Sequence, residues 1–223
     1  MTAQDAYTTF LVLANKLASD DNVNIDIGRF VLLYNKWAPV WLEESVRKTK
    51  ATQKIDEVQY LVKKDSPLIV DSTFDTHIRF KLPDDWFDHI GGYAIVHNAT
   101  CTNVRINAYQ IKNDNEPLVL FDDNWRPSLE FEWLPITVGG GTIQVYFHEF
   151  TVDQFYLDYF KYPKAIDIAG YVKPDGTPSI TVDPDLDDIY VNEIIDLVVA
   201  DVSRIYQNNE KLQPDLNRIT TTN

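Results

Sequence analysis

Apolar residues in the first forty positions recur at helical spacing. Ala6, Phe10, Leu13 and Leu17 share one face of a helix that opens at Thr2 and closes near residues 19–21, and Asp5 stands three positions after Thr2 as in a capping box. A second run, opening after Asn24 or Asp26, sets Ile27, Phe30, Tyr34, Trp37 and Trp41 on one broad aromatic face suited to packing on other helices. Pro39 interrupts it. Proline removes a helical donor and disfavours helical geometry at Ala38, so the spacing predicts a helix that bends or stops there and restarts at Val40. A third, more polar helix is expected over 49–62.

From 67 to about 180 the period changes to two. His77, Arg79 and Lys81 alternate with Ile78, Phe80 and Leu82; Val104, Ile106 and Ala108 alternate with Arg105, Asn107 and Tyr109; Val145 and Phe147 alternate with Tyr146 and His148. Gly139-Gly-Gly141 separates two such runs and reads as a hairpin connection whose residues can take positive φ. Helical spacing then returns. Asp183 offers a cap and Pro184 suits a first helical position, and Val191, Ile194, Ile195, Val198, Val202 and Ile205 form the core face. Leu197 and Val199 widen that face, which fits either a contact with another subunit or deeper burial within one chain. Residues 207–223 are polar, contain Pro214 and offer only Leu212, Leu216 and Ile219 as isolated anchors. The expected architecture is α+β. A helical bundle built from 1–66 and a C-terminal helix over 183–206 carries an inserted antiparallel β-rich domain over 67–182, with 207–223 as a flexible arm.

Two segments carry recognisable words: Tyr159-Phe-Lys-Tyr-Pro-Lys-Ala-Ile-Asp167, and Pro184-Asp-Leu-Asp-Asp-Ile-Tyr-Val-Asn-Glu-Ile-Ile-Asp-Leu-Val-Val199. They resemble the "YxRYPKxID" strand and the "LPExLHxEIVDLAV" helix of neck proteins of tailed phages, in particular the ring (head-to-tail adaptor) proteins of crAss-like phages. With Glu193-Ile-Ile-Asp-Leu laid on the family's EIVDL, Val191 stands where the His is expected and Asp187 where the Pro is. The resemblance implies a non-enzymatic virion protein that forms a ring, dodecameric in such necks, between portal and tail. Its partners would be copies of itself, the portal, an adjacent ring or tail protein, and DNA that passes through the lumen without sequence-specific binding. It also implies helices packed as a bundle around an inserted β-domain, and no cofactor.

Charge fits this without demanding it. The 223 residues hold 20 Lys and Arg against 34 Asp and Glu, a net charge of −14, which argues against a free-standing nucleic-acid binder because phosphate neutralisation needs clustered bases. Placement of the charges is uneven. Residues 47–64 carry Arg47, Lys48, Lys50, Lys54, Lys63 and Lys64 against only Asp56 and Glu57, whereas 183–201 carry seven acids, Asp185, Asp187 and Asp188 among them, and no base. A head-to-tail contact needs two different complementary patches, so a basic rim of one subunit meeting the acidic helix of the next is one reading. Two solvated faces is the other. Candidate assembly residues are therefore Arg47, Lys48, Lys50, Lys54, Asp185, Asp187, Asp188, Leu197, Leu212, Leu216 and Ile219.

Catalytic signals are sparse. His148-Glu149 lacks a second His at 152, the Gly triplet lacks a following Lys-Ser/Thr, and His77, His89, His97, His148 and Cys101 show no metal-ligand spacing. Leu129-Glu-Phe-Glu-Trp-Leu134, read as a strand, would put Glu130 and Glu132 on one face roughly 6–7 Å apart, a spacing glycosidases use. A carbohydrate-binding or glycoside-processing module using Trp86, Trp125, Trp133 and Tyr146 as platforms is therefore a rival reading, and an intracellular scaffold protein another. The single Cys, the N-terminus without a basic-then-apolar leader, and the lack of an apolar run long enough to span a bilayer point to a chain that folds in a reducing cytoplasm and contacts no membrane.

Overall fold

The computed structural model describes the backbone of residues 1–17, 25–52 and 56–220 and the side chains of 1–16, 25–51 and 58–204. The fold is α+β, with helices at both ends of the chain flanking a mostly antiparallel sheet. It divides into a helical unit, 1–60 with 163–223, and a β-rich unit, 61–162. The stretch 163–182, expected in the β-domain, thus belongs with the helices.

In the helical unit, α1 (Ala3–Leu17) opens on the expected box. Asp5 N–H donates to Thr2 Oγ1 at 3.1 Å while Thr2 N–H donates to Asp5 Oδ2 at 3.2 Å, so two orphan donors are satisfied reciprocally. Asp26 opens α2 (Ile27–Thr52), its Oδ1 accepting Arg29 N–H at 2.8 Å. This helix runs through Pro39 without stopping. Tyr34, Ala38, Trp41, Leu42 and Val46 are all buried along it. At roughly 1.5–3 kcal/mol for each large side chain, that burial outweighs a proline penalty of about 3 kcal/mol. The helix also absorbs the start of the third predicted helix, and among the described residues a 3-10 turn, Asp56–Leu61, follows.

The last helix, α4 (Asp188–Thr220), starts later than the Asp183-Pro184 signal and continues past Tyr206, its backbone helical through much of the expected arm. Asp183 caps a different helix: its Oδ1 accepts the N–H of Ala3 at 2.8 Å. Asp187 opens α4 through its carbonyl, which accepts Tyr190 N–H at 3.0 Å and Val191 N–H at 3.1 Å. Val191, Ile194, Ile195, Val198, Val199 and Val202 are buried, so Val199 belongs to the core of its own chain. Two indoles tie α2 to α4. Trp41 Nε1–H donates to Glu193 Oε2 at 2.7 Å, and Trp37 Nε1–H to Asp201 Oδ2 at 2.9 Å.

The β-rich unit contains β1 (Val62–Pro67), β2 (Ile69–Thr73), β3 (His77–Lys81), β4 (Trp86–His97), β5 (Val104–Gln110), β6 (Leu134–Gly139), β7 (Thr142–Tyr146) and β8 (Thr151–Lys161) in one eight-stranded sheet. Its order is β1-β8-β4-β5-β6-β7-β3-β2. The outermost strands, β1 and β2, are separated in sequence by Leu68 alone, so the sheet must curl until its two ends meet. Phe80, Ala94, Val96, Ile106, Leu134, Ile136, Ile143, Val145, Phe155 and Leu157 fill the interior. Only β5 and β6 pair in parallel, and the chain between them supplies a crossover with a short helix, α3 (Glu116–Phe121). The Gly139–Gly141 hairpin forms as expected, with φ of +59° at Gly140 and +76° at Gly141.

Two expectations in this unit are corrected. Val145 and Tyr146 alternate between the two faces of β7, yet both are fully buried instead of one in and one out, the Tyr146 hydroxyl finding partners in Gln144 Oε1 at 3.1 Å and Thr137 Oγ1 at 3.3 Å. Burial carries the Tyr146 phenol up to about 12, the hydrogen bond with Thr137 opposing that rise and Glu116 reinforcing it. Residues 129–132 form a tight turn inside an isolated bridge between Ser128 and Trp133, with Glu132 at φ +50°. Phe131 is 79 % exposed, so the two-faced strand and its carboxylate pair are not formed.

Candidate functional site

The quoted words fall on a structural hub in each unit. Tyr159 on β8 is buried and donates its hydroxyl to Asp85 Oδ1 at 2.8 Å, with Lys63 Nζ on Asp85 Oδ2 at 2.6 Å. Asp167 organises the loop between β8 and α4. Its Oδ1 accepts Ile168 N–H at 3.0 Å and the Tyr171 hydroxyl at 2.9 Å; its Oδ2 accepts Ile180 N–H at 3.1 Å and Lys173 Nζ at 2.8 Å. Burial alone would raise the carboxyl, yet these four donors outweigh it and hold it at about 2. Asn35 of α2 clasps the same loop, donating to the Ile166 carbonyl and accepting its N–H, both at 2.9 Å.

The candidate assembly residues occupy three places. Arg47, Lys48 and Lys50 are exposed at the end of α2, where Lys48 Nζ lies 3.1 Å from Glu44 Oε1. Lys54 lies outside the described residues. Asp185 accepts Lys164 N–H at 2.9 Å, Asp187 is the opening residue of α4, and Asp188 pairs with the Met1 amino group. Leu197 is half-buried, and Leu212, Leu216 and Ile219 lie on the α4 backbone with side chains outside the description. Asp183, Asp185, Glu193 and Asp201 are each engaged inside the helical unit. Hydrogen bonds from Lys36 and then Trp37 lower the pKa of Asp201. These four acids therefore serve the chain's own fold first.

A polar concavity of the β-rich unit was not visible in sequence. Register places His77 against Tyr146 and His97 against Thr151, which brings the turns 74–76, 98–103 and 147–150 to one end of the curled sheet. A cleft of about 600 Å³ lies among them, lined by Asp75, Thr76, His97, Asn98 and His148. A second, of about 570 Å³, lies under the crossover segment and is lined by Asp123, Asn124, Arg126, Glu130 and Phe131. Both share Asn98, His148, Glu149 and Phe150, so they form one mouth centred on the β7–β8 turn.

That turn is conformationally costly. Glu149 sits at φ +59°, a left-handed geometry that disfavours residues other than glycine and asparagine. Around it stand His97 Nδ1, 2.8 Å from Asp153 Oδ1, and Arg126 Nη1, 2.9 Å from Asp123 Oδ1. Among the carboxylates lining the mouth are Asp75, Asp123, Glu130 and Glu149, with Arg126 the one lysine or arginine among the lining residues. The surface can hold a cationic group against an exposed aromatic ring. Among the described residues, no group of three or more His, Cys, Asp or Glu is placed to hold a metal.

The four aromatic residues of the rival sugar platform do not come together on one surface. Tyr146 is fully buried, whereas Trp125 packs edge-on against Trp133 at 6.2 Å, and Tyr109 stacks on Trp133 at 5.3 Å. Phe121, 80 % exposed, and Phe131 lie on the same crossover segment. Among the described residues, no helix is long and apolar enough to cross a membrane. No protein-family model matches the chain. No curated protein matches it in sequence either.

Proposed function

We propose that the chain is a structural component of a tailed-phage neck, one subunit of a ring between portal and tail that surrounds the DNA passage. The observation that carries this reading is the pair of family-like segments, 159–167 and 184–199. Both coincide with residues that tie the architecture together: Tyr159 anchors β8 to Asp85, Asp167 organises the loop into α4, and Glu193 holds Trp41 of α2. The stacked, partly exposed cluster of Tyr109, Trp125 and Trp133 adds support, because exposed aromatic clusters mark contact with other proteins. The subunit acts by shape and surface. Its partners are neighbouring copies in a dodecamer, the portal, and an adjoining ring or tail protein. A net charge of −14 suits a wall past which DNA slides without being held.

Mass spectrometry of purified particles tests the proposal, with copy number measured relative to portal and a reconstruction of the neck. The expected result is a stoichiometry equal to that of the portal and density for the helical unit against the portal or an adjoining ring. Complete absence from purified particles would overturn it.

A further inference from the structure

Resting on the ring reading, we infer that the acidic mouth of the β-rich unit is the socket into which the basic end of α2 of a neighbouring copy docks. The socket combines a concavity, charge and an aromatic ring. Two adjoining clefts of about 570 and 600 Å³ are shaped by four separate stretches of chain. Asp75, Asp123, Glu130 and Glu149 line them, and Arg126 is already paired with Asp123. Phe131 stands on the rim and is 79 % exposed. Carboxylates beside an open aromatic face are the groups that receive a lysine or arginine, through charge-assisted hydrogen bonds and cation–π attraction.

The occupant is found on the same chain. In a molecule of net charge −14, the stretch beginning at Arg47 is the densest run of bases, and Arg47, Lys48 and Lys50 are exposed within the last two turns of α2. The acidic helix is a poorer complement, because Glu193 and Asp201 already accept the indole N–H groups of Trp41 and Trp37. Socket and plug are different surfaces. A contact between them is heterologous, repeats head to tail and closes into a ring when its rotation allows.

Charge exchange between two variants tests the socket. One variant carries Lys48→Glu and Lys50→Glu, the other Glu130→Lys and Glu149→Lys, and association is read by sedimentation velocity and native mass spectrometry at low salt. Each variant alone brings like charges together at every contact and should associate about tenfold or more weakly than the parent. Mixed in equal amounts they can alternate around a ring, each junction pairing opposite charges, and association should return to within about threefold of the parent. Recovery in the mixture also shows that neither variant is misfolded. If the parent assembles but the variants assemble equally well, or the mixture fails to recover, the socket is wrong while the ring reading stands. A parent that stays monomeric at every concentration, alone and with portal, overturns both.

Discussion

Replacing Asp167 by Asn should remove the organising centre of the loop that joins β8 to α4. In the parent, Oδ1 faces the Ile168 amide and the Tyr171 hydroxyl, and Oδ2 faces the Ile180 amide and the Lys173 ammonium, so the carboxylate accepts on both sides. An asparagine keeps one acceptor and turns a donor toward the other pair, leaving donor against donor. The carboxyl lies at about 2 against an ordinary 3.8, a difference worth about 2 kcal/mol at neutral pH, and less to the extent that water screens Lys173, which is 35 % exposed. Because the folded value is depressed, the unfolded chain binds the extra proton. This contribution is present above about pH 4 and disappears as pH falls toward about 2. Urea unfolding of parent and variant, followed by far-ultraviolet circular dichroism from pH 7 down to about 2, should show a gap of about 2 kcal/mol that narrows to less than about 0.5 in acid. Equal midpoints at neutral pH, or a gap that persists unchanged in acid, would refute the role given to the carboxylate.

Gly92→Ala should cost about 2–3 kcal/mol, since the added Cβ would lie 2.7 Å from the Tyr156 carbonyl oxygen and 2.9 Å from Phe155 Cζ, forcing β4 and β8 apart; an unchanged thermal midpoint would contradict this. Trp41→Phe and Trp37→Phe should each lose about 1–2 kcal/mol by leaving Glu193 or Asp201 without its indole donor. Trp37→Phe should in addition move the Asp201 titration, read by carboxyl-carbon NMR, back toward the ordinary carboxylate value, and a static titration would show that Lys36 alone controls it.

Legibility followed the range of the interaction. The Thr2–Asp5 box, the Asp26 cap and the Gly139–Gly141 hairpin are local, and each appeared where the residue types placed it. Errors arose where one local signal served a distant purpose. Asp183 carries a helix-start signature but caps α1, and α4 opens instead on Asp187. Leu129-Glu-Phe-Glu-Trp alternates like a strand, yet the Ser128–Trp133 bridge closes it into a turn. The mouth illustrates the limit most clearly: Asp75, Asn98, Glu130 and Glu149 meet only because β3 pairs with β7 and β4 with β8, and no spacing in the sequence encodes that convergence. The basic end of α2 was legible as a charge run. The socket proposed for it was not.

The single-residue joint at Leu68 determines where the sheet's two free edges lie. An open sheet offers any passing strand a template of unpaired amides, and growth by that route has no natural stopping point. Here the first and last strands are two halves of one bent segment, and the half formed by β1 is further guarded by Lys63, Lys64, a left-handed Asp65 and Pro67. Those residues discourage a further strand from adding at β1. In the proposed ring, contacts made by loops, helix ends and side chains carry an angle as well as an affinity, and an angle is what lets a row of subunits return to its starting point and end.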